Sequence, residues 1–293
     1  MLLFLFFFGL ALGAVPPSDD HQVSLQRANC PMFWYSFNGR CYKYVSTRMT
    51  WADAELYCVS QRANLVSIHS LEEQNFIRFL IKNFDPAEGR TWIGLSDTQK
   101  EGTWMWSDGS AVKFVFWNRG EPNNNEGHGD SETNMLLFLF FFGLALGAVP
   151  PSDDHQVSLQ RANCPMFWYS FNGRCYKYVS TRMTWADAEL YCVSQRANLV
   201  SIHSLEEQNF VKSLIKNFDP AEGYTWFGLS DIHKEGTWMW SDGSAVKFVY
   251  WSSRQPDNYK GNEDCVITNY PNELKWNDIP CSHTHPFVCA SRN

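Results

Sequence analysis

The sequence lacks a cationic surplus. Lysine and arginine number 24 against 31 aspartate and glutamate, for a net charge of −7. That removes the electrostatic footprint of nucleic-acid binding and of adhesion to anionic membranes. It also lacks a long hydrophobic run. The apolar stretches 1–14 and 135–148 fall short of the roughly 20 residues a bilayer-spanning helix needs, so no stable membrane insertion is expected. Nucleophile motifs are missing as well: the serines, histidines and aspartates are scattered, and nothing argues for catalysis. His283 and His285 have no third histidine beside them in the sequence, so they read as a solvated loop rather than a zinc site.

What the chain has in quantity is aromatics: 13 Trp, 12 Tyr and 22 Phe. These supply cores and, on loops, flat faces for ligands. Residues 1–14 end in Ala11-Leu12-Gly13-Ala14 and read as a secretory signal peptide, which permits disulfides. The nine cysteines are odd in number, so at least one has no partner within the chain. Homo-oligomers are expected, with Cys58 as a candidate bridge between chains.

The chain also repeats itself. Met1 to Phe76 recurs residue for residue as Met135 to Phe210, an offset of 134. The period is far longer than a solenoid repeat, so each copy is read as a domain. The repeat includes the signal-like segment, as 135–148, with its methionine. No folded domain needs such a segment mid-chain. The expected explanation is two tandem units joined in one reading frame; the alternative is a precursor with an internal apolar linker. The first copy, 30–134, is truncated. It has Cys30, Cys41 and Cys58 only, and Gly129 and Ser131 stand where the second copy, 164–290, has Glu263 and Cys265. Copy one is not expected to fold independently.

The second copy predicts an α+β architecture: two helices with antiparallel strands and a long loop region. Aromatic and β-branched alternation on either side of Asn172-Gly173 reads as a hairpin. Thr184 is a candidate N-cap, with Asp187 three residues on, for a helix ending near Ser194. Ser204 opens a second helix to about Asn217, with Phe210, Leu214 and Phe218 at helical spacing. After Asp219-Pro220, short strands at Thr225–Leu229 and Trp238–Trp240 alternate with polar loops. Pro286–Cys289 reads as a closing strand.

Two clusters of oxygen-bearing side chains end the chain: Gln255, Asp257 and Glu263, then Asn277 and Asp278. Carboxylates and amides are the ligands of a hard cation such as Ca2+, which takes roughly six to eight oxygens; a soft metal would want thiolate or imidazole. Pro256, between two of the ligands, fixes one backbone dihedral.

These residues resemble the calcium and sugar site of a C-type lectin domain. Trp226-Phe227-Gly228-Leu229, Trp240-Ser241-Asp242-Gly243-Ser244 and the six cysteines from Cys164 to Cys289 are similar to that family too, most of all to small secreted galactose-binding lectins of fish. The resemblance implies the C-type lectin-like fold and the disulfides Cys30–Cys41, Cys164–Cys175, Cys192–Cys289 and Cys265–Cys281, which spacing alone leaves open. It implies Ca2+ held by Gln255, Asp257, Glu263, Asn277 and Asp278. Glycans with terminal galactose would engage Gln255, Asp257, Glu263 and Asn277, since Gln-Pro-Asp is the galactose-type order, and Tyr259 would stack on the sugar. It implies an auxiliary calcium site at Asp231, Glu235 and Asp264, and an extracellular role in innate defence. The alternative on the same scaffold is a sugar-independent module that binds protein or ice.

Overall fold

The computed structural model describes residues 30–118, 121–122, 164–271 and 273–291. The segments 1–14 and 135–148, and the copy-one positions Asn123, Gly129 and Ser131, lie outside them. Copy one supplies β1 (Tyr35–Phe37), β2 (Arg40–Tyr42), α1 (Trp51–Ser60), α2 (Leu71–Phe84), β3 (Leu95–Ser96) and β4 (Met105–Trp106). Copy two supplies β5 (Tyr169–Phe171), β6 (Arg174–Met183), α3 (Trp185–Ser194), β7 (Asn198–Leu199), α4 (Leu205–Phe218), β8 (Thr225–Ser230) and β9 (Met239–Trp240). It then adds β10 (Cys265–Tyr270), β11 (Lys275–Ile279) and β12 (His285–Ser291).

Local chemistry sets the helix ends. The Thr184 and Ser204 side chains accept from the backbone N–H of Asp187 and Glu207, at extended N-cap residues. Each cap satisfies one of the orphan donors of the first turn. In α4, Phe210, Val211, Leu214, Ile215 and Phe218 are buried, the apolar stripe of an amphipathic helix.

The strands of copy two form a sheet in the order β11-β10-β8-β12-β6-β5, with β7 on β12 and β9 on β8. All its members lie within 169–291. The pairs are antiparallel, with one departure from the expected pattern: β8 and β12 are parallel, meeting at Trp226 and Phe287. β12 closes the sheet from its middle, and its other neighbour, β6, already runs opposite to it. Disulfides join Cys164–Cys175, Cys192–Cys289 and Cys265–Cys281, all inside copy two. Sheet, bridges and the aromatic cluster around Trp185, Trp226 and Phe287 are thus made within copy two, which gives this copy a sheet, staples and a core of its own.

Copy one has the bridge Cys30–Cys41. Its Cys58 is free but fully buried, packed with Trp34, Ala54 and Leu65. The expectation that Cys58 links chains therefore fails. The thiol faces inward from α1, and burial pushes its pKa up, away from the reactive thiolate. A second hydrophobic cluster runs across both copies, from Phe33, Tyr44 and Phe84 to Phe167, Tyr178 and Phe218.

Candidate metal centre

The centre forms where the loop before β10 lies over β11. Trp276 anchors β11. Its ring is fully buried, packs edge-on against Phe227 and Trp240, and donates Nε1–H to Gln208 Oε1 at 2.8 Å. Trp276 N donates to Tyr250 O, and Ser252 N to Trp276 O, so the loop is sewn to the strand just ahead of Gln255. On the other side β11 pairs with β10, with Val266 opposite Asp278 and Ile267 opposite Asn277. The Gln255–Pro256 bond is cis.

Asp278 is fully buried. Its carboxylate accepts from Asp257 N at 3.2 Å and Asn258 N at 2.8 Å, tying the loop to the strand. Glu263 accepts from Tyr259 N at 2.8 Å, and Glu263 N donates to Asn258 Oδ1 at 3.1 Å. Asn258 had no assigned role in the sequence reading, yet it organises both acids. It sits at φ 41°, ψ 52°, the left-handed region that asparagine tolerates better than most residues. That tolerance was the available signal.

Carboxylate oxygens of Asp257, Glu263 and Asp278 all lie within 4.8 Å of one another. Burial, and then the Asp257 charge, push the pKa of Asp278 up; Glu263 is raised by burial first and then by Asp278 and Asp257. Beside them, Gln255 Oε1 and Asn277 Oδ1 are buried and accept no hydrogen bond among the described residues. Asn277 instead spends its Nδ2 on Asp278 O at 2.8 Å, which leaves its carbonyl oxygen as the unused atom. Buried acceptors without donors are costly, and converging carboxylates repel. A hard cation relieves both at once, so the donor set fits Ca2+.

Tyr259 is 62% exposed, with Lys260 Nζ 5.0 Å from its ring centroid. Asp231 is buried with Oδ1 unpartnered, and its pKa is raised by burial and then by Glu235 and Asp264. Among the described residues, however, Asp231, Glu235 and Asp264 do not converge as the first three acids do.

Copy one has the counterpart walls without the filling. Its Glu121–Pro122 bond is also cis. A cavity there is lined by Gln74, Ile93, Trp106, Phe114 and Trp117. These correspond, at the repeat offset, to the residues around Trp276: Gln208, Phe227, Trp240, Phe248 and Trp251. The sequence of copy one ends before any equivalent of β11.

Fold and candidate site together are those of a disulfide-stapled α+β domain in which three carboxylates converge beside two buried, unpartnered amide oxygens. The chain belongs to the C-type lectin domain family, whose description, "Lectin C-type domain", matches residues 47–134 and 181–291. It is 34% identical over 150 residues to ladderlectin of Oncorhynchus mykiss, covering 51% of this chain and 79% of the relative. It is 29% identical over 278 residues to C-type mannose receptor 2 of Homo sapiens, covering 89% of this chain but only 18% of that receptor. Among solved structures, it is similar to herring type II antifreeze protein at 38% identity and TM-score 0.42, covering 44% of this chain and 99% of that one. The lectin CEL-I of Cucumaria echinata gives 34% identity and TM-score 0.42, covering 43% of this chain and 96% of that one. The fold is the C-type lectin-like one, and no enzyme family is indicated.

Proposed function

We propose that the chain is a secreted, calcium-dependent lectin that binds glycans with terminal galactose and serves recognition in innate defence. The carrying observation is the pair of buried amide oxygens, Gln255 Oε1 and Asn277 Oδ1, left without donors beside three converging carboxylates. Gln255, Asp257, Glu263, Asn277 and Asp278 would hold the ion. The bound ion supplies open coordination positions to two neighbouring sugar hydroxyls. The protein supplies the rest: carboxylate oxygens accept from those hydroxyls, amide N–H groups donate to them, and their order along Gln-Pro-Asp selects the galactose arrangement. Exposed Tyr259 offers a flat face to the apolar side of the sugar. A single shallow site binds weakly, so useful avidity needs several sites acting together.

The test is retention of the protein on immobilised galactose in millimolar calcium, followed by elution with a chelator. Retention that a chelator does not disturb, or no retention on any sugar, overturns the reading; the latter would favour a sugar-independent module.

A further inference from the structure

The two copies meet through matching faces. Ser46 Oγ donates to Phe218 O at 3.0 Å, and Ser180 Oγ donates to Phe84 O at 2.9 Å. Thr47 donates to Asp219 and Thr181 to Asp85. Ala221 N reaches Thr47 Oγ1 at 3.4 Å, and Ala87 N reaches Thr181 Oγ1 at 3.2 Å. Tyr44 pairs with Ser180 and Tyr178 with Ser46, at 3.3 and 3.4 Å. The rings repeat the pattern: Phe33 lies 4.9 Å from Tyr169, and Tyr35 lies 4.8 Å from Phe167. Each contact is the other's image under the 134-residue offset.

Two pairs join a residue to its own counterpart and so lie on the axis of this exchange. Tyr35 and Tyr169 share a hydroxyl–hydroxyl hydrogen bond, and the rings of Phe84 and Phe218 sit 4.5 Å apart. A contact in which i meets j while j meets i is isologous, the geometry of a two-fold homodimer. The residues making these reciprocal contacts are identical in the two copies. Two contacts are lopsided: Ser46 N also donates to Phe218 O at 2.7 Å without an equivalent bond from Ser180 N among the described residues, and Phe79 packs on Phe167 at 5.3 Å, whose image is lost because position 213 is serine.

We propose that this face is a self-complementary dimer surface, so that residues 150–293 alone pair with a second copy of themselves through Tyr169, Ser180, Thr181, Phe218 and Asp219. In the full chain the face is already filled by copy one, so the long chain stays monomeric at this surface and carries one complete cation centre. The short chain forms a dimer that carries two. The inference does not rest on the sugar reading, since dimerisation can be read without any ligand.

The experiment is sedimentation of the full chain and of 150–293 side by side. The expected result is a monomer for the long chain and a dimer for the short one, so that both have nearly the same mass. Thr181→Asp in 150–293 sets two carboxylates against each other at each of two symmetric contacts, and is expected to give monomers that still melt cooperatively, at a temperature that no longer rises with protein concentration. Ser213→Phe restores the lopsided aromatic contact on both sides, and is expected to tighten the dimer on the order of tenfold. A monomeric 150–293, a T181D dimer as tight as the parent, or no tightening by S213F would overturn the proposal. If T181D fails to fold, S213F still decides.

Discussion

Asp278→Asn is expected to cost stability only when calcium is present. Asp278 is fully buried and lies within 4.8 Å of the Glu263 carboxylate. At that distance two like charges repel by about 3.5 kcal/mol at an effective dielectric near 20, and neutralising one removes the term. Against it stand the hydrogen bonds from Asp257 N and Asn258 N. An amide accepts through one oxygen only, and a lost bond to a charged acceptor costs about 1.5–3 kcal/mol. In a chelator the two effects nearly cancel, so the melting temperature should move by no more than a few degrees. With calcium at a hundred times its dissociation constant, the parent gains about 2.7 kcal/mol, or about 5–10 °C for a domain of this size. The variant should lose most of that gain. Scanning calorimetry of parent and D278N, each with calcium and with chelator, reads all four values. An equal calcium-induced rise in both proteins, or none in the parent, refutes the reasoning.

Acid should release calcium and sugar together. Glu263 and Asp278 have raised pKa values in the calcium-free fold. Their contribution to its stability is therefore full below the ordinary carboxylate range and is lost as pH rises through the folded values. Calcium binds the ionised forms, so its affinity falls as pH drops through the same window and binding expels protons; undiminished binding at about pH 4 would contradict the coordination. Isolated residues 16–134 should show no cooperative melt, because they end before the positions equivalent to β11 and β12 and their aromatic cluster continues into copy two. Circular dichroism on heating checks this, and a sharp transition would sink it.

The duplication separates what local sequence decides from what context decides. The helices were legible because their causes are local: caps at Thr184 and Ser204, and an apolar stripe on α4. The same residues give the same helices in copy one, with Thr50 and Ser70 as caps. Strands behave otherwise. The ten residues Arg40–Met49 and Arg174–Met183 are identical, yet the first forms a three-residue strand and the second a ten-residue strand. The difference is β12, which pairs with β6 from Met183 to Cys175 and has no equivalent in the sequence of copy one. Propensity was equal, and a partner more than a hundred residues away chose the outcome. The parallel meeting of β8 and β12 escaped sequence reading for the same reason.

The candidate centre divides along the same line. Its chemistry was legible, because carboxylates and amides flanking Pro256 can be read from residue types alone. Its architecture was not, because it depends on where β11 lands. Trp276 fixes that strand through Gln208 on α4 and the rings of Phe227 and Trp240, and these lie far apart in the chain. Copy one tests the point within the same molecule. It retains Gln74, Trp106 and the cis Glu121–Pro122 bond, but has a cavity where the indole would sit. A cation centre needs in addition the strand that carries the other two ligands, and at the repeat offset the first copy has Gly143 and Leu144 where the second has Asn277 and Asp278.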